Sequence, residues 1–337
     1  MSKKNKKKVS MKSSILLLLL MAILLISSTY AWFTANKTVK ISTLDVNVEA
    51  KNGLQISSDG TSWKTILSLA DINPDTLTTY TTNKNQIPTM MEPVSTVGEI
   101  NTTDGTMKMY YGTVEPDAAG DYALTSSLET DAKGAGENAG KYIAFDIFLK
   151  VVTTTNLTLT PNSKVVYKGE TDKGLQNAAR VAFCVEGTAA AGSDLADIQG
   201  LKGAKSHGGP DSTTFIWEPN IDVHTAGAKA NAQSYYGIDN LSLTGAARVD
   251  YWGLKTAFSD SVKLEATNGD TADTNKFTKV TPNYTTTAAQ DTAINIFKLD
   301  PGITKVRVYM WIEGQDVDCE NGASGADISY TIEFTAV

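Results

Sequence analysis

In Ile143-Ala144-Phe145-Asp146-Ile147-Phe148-Leu149-Lys150-Val151 the odd positions are all large and apolar, while Asp146 and Lys150 fall on the other parity. Period two is the signature of a half-buried β-strand. The same alternation recurs at Leu44, Val46 and Val48 against Asp45, Asn47 and Glu49, and at Val306, Val308, Met310 and Ile312 against Lys305, Arg307 and Glu313. It returns at Ile328, Tyr330, Ile332 and Phe334 against Ser329, Thr331, Glu333 and Thr335. Turn signals separate these runs: Lys51-Asn52-Gly53, Ser58-Asp59-Gly60, Thr103-Asp104-Gly105, Asp300-Pro301-Gly302 and Asn321-Gly322. Strands with one wet face and frequent turns predict an all-β fold, an antiparallel β-sandwich of jelly-roll type with long loop insertions.

Helical periodicity is scarce. Residues 119–140 and 187–209 are rich in Ala, Gly and small polar residues and read as long surface loops, with a short helix near Ser193 to Leu201. No linker or repeat divides the chain, so residues 32–337 read as one elaborated domain, and about 187–250 is the candidate for an inserted subdomain.

The first 31 residues differ in kind. Six lysines precede Ile15 to Ile26, an unbroken apolar run of twelve residues, and then comes Ser27-Ser28-Thr29-Tyr30-Ala31. A bilayer span needs roughly 20 apolar residues, so this run has the length of a secretory signal. Thr29 and Ala31 fit the small-residue pockets of a signal peptidase, which predicts 1–31 as a signal peptide, cleavage before Trp32 and membrane contact only until cleavage. A retained anchor and a pilin-type signal are the competing readings.

Charge sharpens this picture. The 337-residue chain has a formal net charge of −7, and removing 1–31 takes away six of its 30 basic residues and no acid, leaving −13. Such a surface repels nucleic acid, and it suits an exported protein.

Candidate chemistry is sparse, and no cofactor is expected. His207 and His224 lie in loop-like sequence without a zinc spacing, and no nucleophile elbow, phosphate loop or dinucleotide fingerprint occurs. The chain therefore reads as a non-enzyme. Asp316, Asp318 and Glu320 alternate in a manner that can gather oxygens round calcium, although the offsets of an EF-hand are missing and a solvated acidic hairpin loop is the preferred reading. Cys184 and Cys319 are consistent either with one disulfide after export or with two independent thiols.

The lysine-rich start, the short apolar run and Thr29-Tyr30-Ala31-Trp32-Phe33-Thr34 leading into Lys40-Ile41-Ser42-Thr43-Leu44-Asp45-Val46 resemble the exported TasA/camelysin-like group, with its SipW-type signal. The resemblance covers about residues 1–50 and is diffuse beyond. It implies a jelly-roll subunit secreted by Gram-positive bacteria that self-associates into extracellular biofilm-matrix fibres. In that mode the segment after the cleavage site is a donor strand completing the sheet of the next subunit. The matching positions here are Trp32, Phe33, Val39, Ile41, Leu44, Val46 and Val48, with the same strand folded back in its own subunit as the alternative. No motif in this chain carries the proteolysis ascribed to some camelysin-like members. The chain's end shows no sortase motif, so release, retention by non-covalent contacts or retention by polymerising is expected. A second reading is a surface adhesin or carbohydrate-binding module that uses Trp217, Tyr235, Tyr236, Tyr251 and Trp252 to stack on sugars.

Overall fold

The computed structural model describes residues 38–101, 103–116, 122–129, 132–203, 213–230, 251–254, 277–285, 293–319 and 325–337. In chain order its strands are β1 (Val39–Val48), β2 (Gln55–Ser57), β3 (Ile66–Ser68), β4 (Gln86–Pro88), β5 (Met90–Met91), β6 (Tyr110–Pro116), β7 (Tyr122–Leu128), β8 (Gly134–Gly136), β9 (Ile143–Val151) and β10 (Thr155–Leu159). They continue through β11 (Lys164–Tyr167), β12 (Ala179–Ala189), β13 (Thr214–Glu218), β14 (Tyr251–Leu254), β15 (Phe277–Val280), β16 (Asn283–Tyr284), β17 (Ile294–Leu299), β18 (Gly302–Ile312) and β19 (Ala326–Ala336). All four strands anticipated from alternation are present. Among the described residues helix is confined to short pieces: Leu69–Ile72, begun by a reciprocal Ser68–Asp71 capping box, Leu195–Gln199, inside the span anticipated for it, residues 226–230, and single 3-10 turns at Lys51–Gly53 and Leu175–Ala178.

Two large sheets hold the fold together. One runs β17-β10-β19-β1-β3, with β11 also on β19 and β5 also on β1. The other runs β16-β13-β12-β18-β9-β4-β8, with β2 also on β9, and the pairs β6-β7 and β14-β15 form separate ribbons. Leu44, Val46, Ile332 and Phe334 of the first sheet share one hydrophobic core with Phe145, Ile147, Phe183 and Val306 of the second. Phe183 and Phe334 meet edge to face across it, with ring centroids 5.3 Å apart.

The architecture departs from expectation in three respects. Its sheets are mixed, not antiparallel: β1 runs parallel to β19, β4 to β8 and β13 to β16. Next, the centre of the second sheet has no wet face. β18 is buried at every residue, and in β9 only Lys150 is partly exposed. A second apolar cluster, including Val94, Ile100, Met107 and Met109, covers Ala182, Tyr309 and Trp311 on the outer side, while Tyr80 and Ile198 cover Phe148 and Ile303. Asp146 and Arg307 look like solvent residues in an alternation pattern, yet they are buried because they pair with each other at 3.0 Å. Finally, the anticipated loops contain sheet. Strands β7 and β8 fall within 119–140, and 187–209 begins inside β12. Of the anticipated subdomain, β13 is an integral strand paired with β12, and 231–250 lie outside the described residues.

The Lys51-Asn52-Gly53 turn is present, with φ of +50° at Asn52 and +72° at Gly53, and it carries the chain from β1 in the first sheet to β2 in the second.

Candidate assembly strand

Of the anticipated assembly positions, Trp32 and Phe33 lie outside the described residues, as do the cleavage residues Thr29 and Ala31. The other five lie on β1. Val39, Leu44, Val46 and Val48 are buried, and Ile41 packs against the core from a partly exposed position. Their parity changes midway, from odd at Val39 and Ile41 to even at Leu44, Val46 and Val48. The register with β19 explains it: Ile41 is opposite Ile328 and Thr43 opposite Ser329, so Ser42 is an extra residue, a bulge. Its hydroxyl turns outward and donates to Asp327 Oδ1. Burying each aliphatic side chain is worth about 1.5–3 kcal/mol, so β1 contributes heavily to the core.

β1 lies inside the sheet, not at its rim. On one side it pairs with β19 along its length; on the other, Val39 and Lys40 face Met91 and Met90 of β5, and Asp45, Val46 and Asn47 face Ser68, Leu67 and Ile66 of β3. Backbone bonds fasten both ends, from Gly325 N–H to Thr38 O at 2.9 Å and from Glu49 N–H to Phe334 O at 2.8 Å. Withdrawing β1 would leave the main-chain donors and acceptors along β19 unpaired and open the core beneath.

The acidic segment is not a solvated loop. Asp316 is 6% and Asp318 1% exposed, and Glu320 lies outside the described residues. Asp316 Oδ2 accepts from Arg180 at 2.6 Å, and Arg180 reaches Glu218 Oε1 at 2.7 Å. Asp318 accepts from the backbone N–H of Thr225 at 2.9 Å and lies 2.6 Å from His224 Nδ1. Sequence alone placed His224 and Asp318 in separate segments; only the fold joins them. The ligand-type atoms of His224, Asp316 and Asp318 lie within 4.8 Å of one another, a spacing that a metal ion could use. Against this, the guanidinium of Arg180 already neutralises Asp316, and both Asp318 oxygens are engaged. Burial disfavours the charged imidazole of His224, but the bond to Asp318 and the fields of Asp316 and Glu218 outweigh it and raise its pKa. Through these bonds His224 and Thr225 tie the segment after β13 to residues 313–319. His207 lies outside the described residues.

No disulfide joins Cys184 and Cys319; both are buried, Cys184 in the outer apolar cluster and Cys319 in the core between the sheets. Burial pushes the Cys184 thiol up to about 12. Among the candidate sugar-stacking rings, Trp217 is fully buried in the core, which removes it from that role. Tyr251 and Trp252 are consecutive on β14, and Tyr235 and Tyr236 lie outside the described residues. Among the described residues no helix is long and apolar enough to cross a membrane. Compared with known proteins, the chain matches no family model, no curated protein and no solved structure.

Proposed function

We propose that the chain is a secreted structural subunit of jelly-roll type that self-associates into extracellular matrix fibres, with the segment from Trp32 to Val48 as the strand passed from one copy to the next. The observation that supports this reading is the position of β1. It is the first described strand, yet it fills an interior place in the sheet between β19 and the pair β3 and β5. Once the chain is cut before Trp32, β1 follows a free end and, joined to the rest through the Lys51-Asn52-Gly53 turn, can swing out without unthreading any other element. An equivalent strand from a neighbouring copy can then pair with β19 in the same register, and the head-to-tail contact repeats without closing on itself.

The buried His224, Arg180 and Asp316 group holds the β12, β13 and 313–319 segments together in this reading and carries no chemistry. The test is sedimentation and negative-stain microscopy of the chain beginning at Trp32 beside one beginning at Lys51. Fibres are expected from the first and none from the second, with or without a free peptide spanning 32–50, which fills the vacated place beside β19 without joining one copy to the next. A first chain that stays monomeric across concentration and pH would overturn the proposal.

A further inference from the structure

The outer side of the second sheet holds a cavity of about 200 Å³, walled by β9, β12 and β18 and by residues 104–106 and 199–202. Its floor is charged and nearly saturated. Asp146 accepts from Tyr80 Oη at 2.7 Å and Arg307 Nη1 at 3.0 Å, with Lys305 Nζ 3.4 Å away. Lys305 donates as well to the carbonyls of Gln199 and Leu201, at 3.0 Å each.

Glu186, which also lines the cavity, is the exception. It is 5% exposed, and its Oε2 accepts from Gly203 N–H at 3.2 Å, while Oε1 is buried with no hydrogen-bond partner. An acceptor taken out of water and left unpaired carries a desolvation penalty that an incoming donor relieves.

The charges indicate what kind of donor. On the floor, Lys305 and Arg307 already flank Asp146, and burial pushes the Glu186 carboxyl up to about 7, so the unpaired oxygen suits a neutral hydroxyl and not a further cation. At the mouth, Lys84 and Lys202 are exposed and face one acid, Asp104, whose Oδ1 already accepts from the Thr106 hydroxyl and N–H. A second cavity of about 430 Å³ shares Lys84, Asp104 and Thr106 and continues past Lys108 and Lys133. Six lysine and arginine side chains line the two cavities against four carboxylates, Asp104, Glu129, Asp146 and Glu186, and Glu99 pairs with Lys108, so the groove keeps a small excess of cations in a chain of net charge −7. Its apolar side chains are Tyr80, Leu201, Met107 and Leu128, set among the lysines.

We infer that the groove binds an acidic saccharide through a hydroxylated carboxylate unit of the uronic-acid kind, a sugar hydroxyl donating to Glu186 on the floor and the carboxylate meeting Lys84 and Lys202 at the mouth. Further units of the chain then follow the groove toward Lys133. This inference does not depend on strand exchange.

Calorimetric titration of the purified chain with galacturonate, trigalacturonate, galactose and lactate tests it. Both uronates bind, the trimer more tightly, and galactose binds about tenfold or more weakly, as expected for loss of a charge-assisted contact. Replacing both exposed lysines (Lys84→Ala with Lys202→Ala) abolishes the preference for galacturonate over galactose, while Glu186→Ala weakens both sugars. No binding of either uronate up to about 10 mM overturns the assignment, as does a preference that survives the lysine replacements. Lactate binding as tightly as galacturonate overturns the saccharide assignment in favour of a small hydroxy acid.

Discussion

Val39 lies opposite Ala326, the first residue of β1 level with the first residue of β19, and from there the two strands run parallel as far as Val48 and Phe334. A parallel pair cannot be closed by a tight hairpin, and here nearly the whole described fold lies between its members. The contact between the first and last described strands therefore joins segments far apart in the sequence and closes the interior of the first sheet.

Leu44 reports on that seal. It is 1% exposed in the core, and Leu44→Ala should cost about 2–5 kcal/mol in urea unfolding, with Asp45→Ala on the same strand within about 0.5 kcal/mol of the parent. Equal effects at the two positions would mean that β1 is not packed as described.

Arg180 is 1% exposed between Glu218 and Asp316. Arg180→Ala leaves buried carboxylates without their counter-charge and should destabilise by about 3–5 kcal/mol, whereas a triple change to apolar residues of similar volume should recover much of that loss. Chemical denaturation of the two variants measures both effects.

Several buried groups set the pH dependence. Burial pushes Glu313 and Glu186 up to about 7, so between about pH 4.5 and 7 the unfolded chain releases protons that the folded chain keeps. Stability falls with rising pH across that window, by about 3 kcal/mol for a shift of this size at one group. His224, with its raised pKa, acts in the same direction: its contribution is complete below the unfolded value of about 6.5 and is lost as pH rises through the folded one. Asp146 opposes them at the acid end. Burial works against its charge, but Lys305 and Arg307 hold its pKa low, so its contribution is lost as pH falls below about 4. Thermal melts should peak in mildly acidic buffer and decline toward pH 8, and Glu313→Gln should flatten the decline. A melting temperature that climbs steadily from pH 5 to 8 would contradict this.

Much of the sheet could be read from the chain because alternation records which side chains enter the core. Leu44, Val46, Val48, Ile328 and Phe334 were legible for that reason. Asp146 and Arg307 were not, since a polar residue facing a covering layer is indistinguishable in sequence from one facing water, and its partner lies on another strand. The parity change at Ser42 was visible as a shift in the apolar positions; its cause, a bulge against Ile328 and Ser329, needed the partner strand. His224 and Asp318 belong to segments that alternation does not connect, and Glu186 gives no local sign that one of its oxygens lacks a donor.

The two thiols provide a further check. In the native chain neither should react with a thiol reagent within minutes, because both are buried and the Cys184 thiol resists ionisation. Unfolding without reductant should expose two reactive thiols, counted by mass spectrometry; none would mean that a bridge had formed.

Strand exchange between copies is most directly measured by cross-linking. Asp45 faces Thr331 across the β1–β19 contact, both partly exposed, in a register close enough for a disulfide. One preparation carries Asp45→Cys and the other Thr331→Cys; the two are mixed, allowed to assemble and oxidised. Strand exchange should give disulfide-linked pairs containing one chain of each kind, growing into ladders when every chain carries both substitutions. Bonds that form only within single, doubly substituted chains, with none in the mixture, would show that β1 stays in its own subunit and would contradict the account.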